Sequence, residues 1–304
     1  MRFEKWQALG NDYLIVERDE LPFELTPPRV RRLCEAHVGV HADGVLVLER
    51  SRDADHVAEL QIFNPDGSQA ELSGNGAREA ILYLRLRGWT EEDEFSVLAA
   101  AGEIRSAITG PFSARVDMGV AQLSSKDYPA GARDGIGTLE ATAAGDARGA
   151  APVRFRHVSI GNPQCAISVD SASEVDALDL ARLGPPIEAH AEFPNRTNVS
   201  WYSELERAPH VRVRARIFER GVGETASSGT GASGAAIAYL LDRAGEDPSS
   251  VWTQGPVRVT VVLDGGELDV EVDEGLRVHL SGWAVPVFSG SLSEEFLRSL
   301  AELQ

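Results

Sequence analysis

Two serines with the same surroundings are the residues best placed to do chemistry. Residues 63–77 read FNPDGSQAELSGNGA and residues 218–232 read FERGVGETASSGTGA. In each copy a Phe (Phe63, Phe218) precedes by ten positions a Ser (Ser73, Ser228) that opens S-G-[NT]-G-A, and an Ala-rich apolar stretch follows. A fixed internal spacing of this kind predicts two related halves that each deliver the same device. The device is a Gly-rich turn entering a helix. Glycine lets backbone approach a ligand closely, and the free N–H groups of a first helical turn attract an anion. Two such turns facing each other would grip a carboxylate and set one hydroxyl on either side of it, as inversion of a carbon centre requires. Taken singly, either serine reads as a plain N-cap; the matched repeat raises the catalytic reading to equal weight.

The supporting elements read mostly as strands with a few helices. Val211, Val213, Ala215 and Ile217 alternate with Arg212, Arg214 and Arg216, the period-two pattern of a half-buried strand that leads into the second turn. Ala58–Phe63 leads into the first turn in the same way. Val257–Leu263 and Leu268–Val272 flank Asp264-Gly265-Gly266, a hairpin signal. Helical apolar spacing covers 77–86, and its counterpart 232–241 is more apolar, as expected of a helix buried within a curved sheet. Residues 126–152, rich in Gly, Ala and Asp without apolar periodicity, read as a connection and a long surface loop. Ser293–Leu303 reads as a short amphipathic helix.

Composition excludes several function classes. The chain has 304 residues, enough for two ordinary domains, and a net charge of −18. That acidity argues against nucleic acid and anionic membrane as partners. The opening MRFEKWQALGNDYLIVE lacks the apolar core of a signal peptide, and no run of about 18 apolar residues occurs, so a cytoplasmic protein is expected. Cys34 and Cys165 give no disulfide framework and read as buried apolar residues. His37 and His41, split by Gly39, read as a loop, and no metal site is expected. Lysine occurs only at Lys5 and Lys126. Lys5 falls in the first strand and Lys126 in a polar stretch, so neither suits a pyridoxal Schiff base. Chemistry at an amino-acid α-carbon would have to proceed without a cofactor.

Several ordered motifs resemble the diaminopimelate epimerase family along almost the whole chain. They are Lys5 with Leu9-Gly10-Asn11-Asp12, then Ala42-Asp43-Gly44, then Phe63-Asn64-x-Asp66-Gly67 with Gly74-Asn75-Gly76-Ala77-Arg78. Gly161-Asn162-Pro163, Phe193-Pro194-x-Arg196-x-Asn198-Val199, Glu219-Arg220-Gly221-x-Gly223-Glu224-Thr225 and Gly229-Thr230-Gly231-Ala232 complete the set. The resemblance implies an α/β (α+β) fold of two pseudo-symmetric domains, each a β-barrel-like sheet around a central helix, with the site in the cleft between them. The expected halves are 1–121 with 287–304, and 122–286. It implies a cofactor-independent epimerase, a homodimer, that interconverts LL- and meso-diaminopimelate on the lysine and cell-wall route. Position by position, it makes Asn11, Asn64, Asn162, Asn198, Glu219 and Arg220 contacts for the distal end of the amino-acid substrate. Gly74, Asn75, Gly229 and Thr230 become backbone donors to the reacting carboxylate.

The departure falls on the chemistry itself. Family members carry cysteine at the positions of Ser73 and Ser228, and histidine where this chain has Gln164; Glu219 is retained. A thiol can be poised near neutrality by such neighbours, whereas an alcohol needs an adjacent base. Three readings follow: an epimerase whose Ser73 and Ser228 transfer protons with help from Glu219; a same-fold isomerase acting on a more acidic carbon with Glu219 as base, as in relatives that resemble phenazine-pathway isomerases; or a non-catalytic amino-acid-binding protein.

Overall fold

The computed structural model describes residues 1–140, 152–207, 210–245 and 247–303. The chain divides into two units, Met1–Val116 with Gly282–Gln304, and Asp117–Ser281. In chain order the first contains β1 (Arg2–Ala8), β2 (Asn11–Glu17), α1 (Pro27–Cys34), β3 (Val45–Arg50), β4 (Ala58–Phe63), β5 (Gln69–Ala70), α2 (Gly74–Leu86), β6 (Glu94–Ala99), β7 (Gly102–Gly110) and, as far as Val116, β8 (Ser113–Val120). The second contains β9 (Ile136–Leu139), β10 (Val153–Ser159), β11 (Pro163–Ser168), α3 (Ala172–Ala177), α4 (Leu180–Glu188), β12 (Asn198–Glu206), β13 (Val211–Glu219), β14 (Gly223–Thr225), α5 (Gly229–Ala244), β15 (Val257–Leu263), β16 (Gly266–Val272) and, as far as Ser281, β17 (Arg277–Trp283). The chain then returns to the first unit as β18 (Val285–Ser291) and α6 (Glu294–Ala301).

The repeat seen in the motifs extends to the strand ladders. In the first unit β1–β2 is antiparallel, β2–β3 parallel and β3–β4 antiparallel; β4 then pairs antiparallel with β5 and parallel with β6, and β6–β7–β8 is an antiparallel meander. The second unit repeats that sequence as β10–β11, β11–β12, β12–β13, β13–β14, β13–β15 and β15–β16–β17. Each unit has one more antiparallel strand on its first, β18 on β1 and β9 on β10. Parallel neighbours need a crossover. Helix α2 supplies the one from β4 to β6, and α5 the one from β13 to β15.

Both crossover helices are core elements. Every residue of α2 from Gly74 to Leu84, and of α5 from Gly229 to Leu241, is buried. Helix α5 packs on β10, β11, β12, β13, β15 and β16, so the sheet of its unit curls around it. A helix buried on all sides has no polar face, which is why 232–241 is nearly all Ala, Leu and Ile with one Tyr and only Ser233 and Gly234 besides.

Three expectations need correction. Both helices begin three residues earlier than the apolar spacing indicates, at Gly74 and Gly229, because the Gly-rich segment is itself the first helical turn. Part of the segment expected to be a loop is a strand: Ile136–Leu139 pairs with β10, and its Ile-Gly-Thr-Leu is too short to show a period. Residues 141–151 of that segment lie outside the described residues. Finally, the strand after Asp264-Gly265 starts at Gly266 rather than Leu268, since Leu263 pairs directly with Gly266 across a two-residue turn.

Gly44 shows how tightly the first unit is closed around its site strands. A Cβ there would lie 2.3 Å from the Phe63 carbonyl oxygen and 2.6 Å from Cε1 of Tyr13. Neither can recede, since Phe63 is in the β3–β4 ladder and Tyr13 is 5% exposed. Gly44→Ala is expected to lower the unfolding free energy by about 1–3 kcal/mol, the usual cost of overpacking, measured by urea denaturation. An unchanged midpoint would contradict this packing.

Candidate functional site

Ser73 and Ser228 are both helix N-caps in extended backbone. Ser73 Oγ accepts the Gly76 N–H at 3.1 Å and Ser228 Oγ the Gly231 N–H at 3.2 Å. The capping bond fixes each side chain, and the N–H groups of Gly74, Gly229 and Thr230 precede the first residue whose N–H can bond back within its own helix. Both capping serines therefore stand beside backbone suited to an anion.

The residue two positions after each serine holds the asparagine of a neighbouring hairpin. In the first unit Asn75 Nδ2 donates to Asn11 Oδ1 at 3.1 Å. In the second Asn162 Nδ2 donates to Thr230 Oγ1 at 3.2 Å. Asn11 and Asn162 occupy matching places, each after a glycine of positive φ (Gly10, 84°; Gly161, 76°) in the β1–β2 and β10–β11 connections. Each is tied further: Asn11 Nδ2 donates to Asp43 Oδ2 at 2.8 Å, and Gln164 Nε2 donates to Asn162 Oδ1 at 2.6 Å. Asp43 belongs to the Ala-Asp-Gly turn and also accepts the Asp12 N–H at 3.0 Å.

Around the serines themselves the two units diverge. Ser228 Oγ donates to Glu219 Oε2 at 3.1 Å, and Thr225 Oγ1 donates to Glu219 Oε1 at 2.8 Å. Glu219 ends β13, one residue after Phe218. The equivalent residue after Phe63 is Asn64, whose side chain donates to Ser68 Oγ at 2.9 Å in the Asp66-Gly67 turn. Asn64 is an amide and is bound to that turn, so Ser73 receives no carboxylate from this position. Its hydroxyl neighbour is Tyr13, whose phenol donates to Ser73 Oγ at 3.1 Å.

The other expected contacts are tied within the second unit. Asn198, 3% exposed, accepts the Arg220 N–H at 2.7 Å, and Arg220 Nη1 donates to the Asn195 carbonyl at 3.0 Å. Glu188, which sequence reasoning did not single out, accepts the Gly221 N–H at 3.0 Å and binds Arg196. It fixes the loop that carries Arg220. Tyr13 and Thr225 were also missed as site residues. Both lie inside quoted motif segments, but their contacts with Ser73 and Glu219 depend on strand pairing that no local pattern reveals.

The two lysines lie where their sequence positions indicate, Lys5 on β1 and Lys126 outside the strands and helices. Lys5 Nζ is 3.0 Å from Asp12 Oδ2 and also donates to the His41 carbonyl, and Lys126 is on an exposed stretch. The cysteines supply no thiolate: burial pushes the Cys34 thiol up to about 12 and the Cys165 thiol well above its usual range. Among the described residues no group of three or more His, Cys, Asp or Glu converges as metal ligands would. No described helix is long and apolar enough to cross a membrane.

The profile of the family described as diaminopimelate epimerase matches residues 3–124 and 156–280. A diaminopimelate epimerase of Pelotomaculum thermopropionicum is 37% identical over 298 residues, covering 95% of this chain and 98% of the relative. One of Magnetococcus marinus is 37% identical over 292 residues, covering 96% of both. The fold is shared with a PhzF-family phenazine biosynthesis protein of Bacillus anthracis (TM-score 0.68, 21% identity, 96% and 99% covered). It is also shared with a probable proline racemase of Agrobacterium radiobacter (TM-score 0.64, 15% identity, 96% and 93% covered).

Two buried ionisable residues in the helix that Ser73 caps test the account of this unit. Arg78 and Glu79 are both fully buried. Arg78 donates to the Gly74 carbonyl at 2.9 Å and to Asn75 Oδ1 at 2.7 Å, holding the Gly-rich turn from below. Burial pushes the Glu79 carboxyl well above its ordinary 4.5; the Arg78 charge offsets this only in part, and Asp12 and Asp43 add to it. A carboxyl that holds its proton more tightly folded than unfolded stabilises fully below its ordinary value, and that stabilisation is lost as pH rises through the folded value. Between pH 5 and 8 the protein is therefore expected to lose stability that Glu79→Gln does not lose, measured as urea midpoints at both pH values. Equal losses in both would show that Glu79 is already ionised at pH 5.

Proposed function

The chain belongs to the diaminopimelate epimerase family, and on that premise we propose that it inverts the α-carbon of an amino acid, with LL- to meso-diaminopimelate as its reaction. The observation that carries the proposal is the pair formed by Ser228 and Glu219, in which the hydroxyl donates to the carboxylate at 3.1 Å while its own oxygen accepts a helix N–H. An alcohol is too weak an acid to become a base unaided. With Glu219 in place, the Ser228 proton passes to the carboxylate as Ser228 Oγ takes the α-proton. The carbanion so formed shares its charge with the substrate carboxylate, which the N–H groups of Gly74, Asn75, Gly229 and Thr230 would hold. Ser73 returns a proton to the α-carbon. Asn11, Asn64, Asn162, Asn198 and Arg220 would bind the distal end of the substrate, whose carboxylate and ammonium need both donors and acceptors.

A second reading, in which Glu219 itself removes a proton from a more acidic carbon, is supported by the two hydroxyls that orient both its oxygens. The readings separate by substitution. Conversion of LL- to meso-diaminopimelate, followed by chiral chromatography, is expected to fall at least about 100-fold in kcat in both Ser228→Ala and Glu219→Gln, or about 2.7 kcal/mol of barrier. Loss of the Ser228 cap costs only about 1 kcal/mol of stability, so an inactive variant would still fold. Full activity in Ser228→Ala with none in Glu219→Gln would favour the second reading. Binding without conversion by the parent protein would contradict the epimerase reading.

A further inference from the structure

We infer that Asp43 and Arg78 fix the polarity of the Asn11 side chain, so that Asn11 offers a ligand an N–H and selects an oxygen rather than an ammonium. The inference rests on the reading of Asn11 as a substrate contact and adds what that contact selects.

An amide side chain carries a donor and an acceptor of nearly equal size, and its neighbours decide which points where. In the first unit three hydrogen bonds run in one line. Arg78 Nη2 donates to Asn75 Oδ1 at 2.7 Å, Asn75 Nδ2 to Asn11 Oδ1 at 3.1 Å, and Asn11 Nδ2 to Asp43 Oδ2 at 2.8 Å. The ends of the line are not interchangeable, because a guanidinium only donates and an ionised carboxylate only accepts. Arg78 is charged at neutral pH, since burial lowers it only to about 10. Turning Asn75 would set its NH2 group against Arg78, and turning Asn11 would set its oxygen against Asp43. Both amides therefore have one orientation, dictated by the two charged ends.

Asp43 is itself held. Its Oδ2 also accepts the Asp12 N–H at 3.0 Å, its own N–H donates to Asp12 Oδ1 at 3.1 Å, and Lys5 Nζ lies 3.0 Å from Asp12 Oδ2. The Asn11 oxygen is turned to Asn75, which is buried, and one Asn11 amide hydrogen is left over. That hydrogen has no partner among the described residues, and Asn11 is only half-buried. Its complement is a carboxylate or carbonyl oxygen. An ammonium has hydrogens of its own and no acceptor, so it gains nothing there.

The second unit has the same hairpin asparagine without the lock. Five residues after its capping serine stands Ser233, where the first unit has Arg78. Ser233 Oγ still donates to the Gly229 carbonyl at 2.8 Å, as Arg78 does to Gly74, but a hydroxyl can also accept. Strand register sets Val45 beside Leu14 and Val199 beside Cys165, so Thr197 stands where the first unit has Asp43. Asn162 lies instead between Gln164 and Thr230, each of which can give or accept. The line as it stands leaves Gln164 Oε1 buried with no hydrogen-bond partner among the described residues. Neither end of this line is charged, so Asn162 can turn and Asn11 cannot.

Asp43 acts through Asn11 and is a positioning residue, so its test compares two ligands. LL-diaminopimelate and L-lysine differ by the distal carboxylate alone, and a general loosening of the site weakens both alike. Their dissociation constants are measured by calorimetry for the parent protein, Asp43→Ala, Asn11→Ala and the double variant. Asp43 is exposed on its turn, so its truncation leaves the core intact. Without that acceptor Asn11 is free to turn its oxygen outward. The preference for LL-diaminopimelate over L-lysine is expected to fall at least about 10-fold in Asp43→Ala, the effect of one hydrogen bond to a charged group. In the Asn11→Ala background the same change is expected to shift the preference by no more than about twofold, because the group it acts through is gone. An undiminished preference in Asp43→Ala, or an equal fall with and without Asn11, would overturn the lock and leave the proposed reaction standing. A parent protein that does not bind LL-diaminopimelate would remove that reading, and this inference with it.

Discussion

Both candidate serines are constrained before any chemistry by the need to cap a helix that is buried on all sides. Gly74–Leu84 and Gly229–Leu241 lie wholly within their units, so water cannot satisfy the N–H groups that begin them. A capping oxygen must do so, and in both units it is the serine hydroxyl. Placement of the reactive group and closure of the core are thus one local solution, repeated once in each half. This also accounts for the glycines around each serine. Gly231 lies so close to β13 that a Cβ there would be 2.7 Å from Cδ1 of Ile217, and any larger residue would lift the helix start off the sheet.

Within that shared frame the two halves have been given different acid–base partners. Glu219 and Asn64 hold the same place relative to the Gly-rich turn, and only one of them ionises. The phenol of Tyr13 reaches Ser73 from β2 rather than from the strand that precedes the turn. Family members are implied to use thiols at both positions, which carry their own acidity. Serines do not, so each needs a neighbour, and the hydroxyl partners differ: the Glu219 carboxylate at Ser228 and the Tyr13 phenol at Ser73. The buried Arg78 and Glu79 add a structural layer to the first half: the guanidinium, which burial lowers only to about 10, remains charged and ties Gly74 and Asn75 in place.

Much of this was legible in the chain, for definite reasons. The matched Ser-Gly-x-Gly-Ala segments, the alternation from Val211 to Ile217 and the Asp264-Gly265 hairpin are short-range patterns, and each lies where its period or turn chemistry indicates. The amphipathic C-terminal helix, capped by Ser293 at the Phe296 N–H, is of the same kind. What escaped depends on partners distant in sequence. Ile136–Leu139 is a strand because Val153–Arg156 lies alongside it, not because of its own composition. Gly74-Asn75-Gly76 reads as a turn by glycine content, yet becomes helical once Ser73 caps it and Arg78 braces it. Tyr13 reads as one more apolar strand residue until the fold brings its hydroxyl to a serine sixty positions away. Glu188 likewise acquires its role only when the loop carrying Gly221 folds onto it.

The central claim is that neutral hydroxyls, each with a dedicated partner, can move protons at a carbon where relatives are implied to use thiols. Release of deuterium from α-deuterated diaminopimelate into ordinary water, followed by NMR, tests it most directly, because it registers proton transfer whichever hand of product accumulates. The account predicts steady loss of label with the intact protein and at least a ~100-fold slower loss, equivalent to about 2.7 kcal/mol, in the Ser73→Ala, Ser228→Ala double variant. Label retained by the intact protein while the amino acid is bound, or lost equally fast without both hydroxyls, would contradict it.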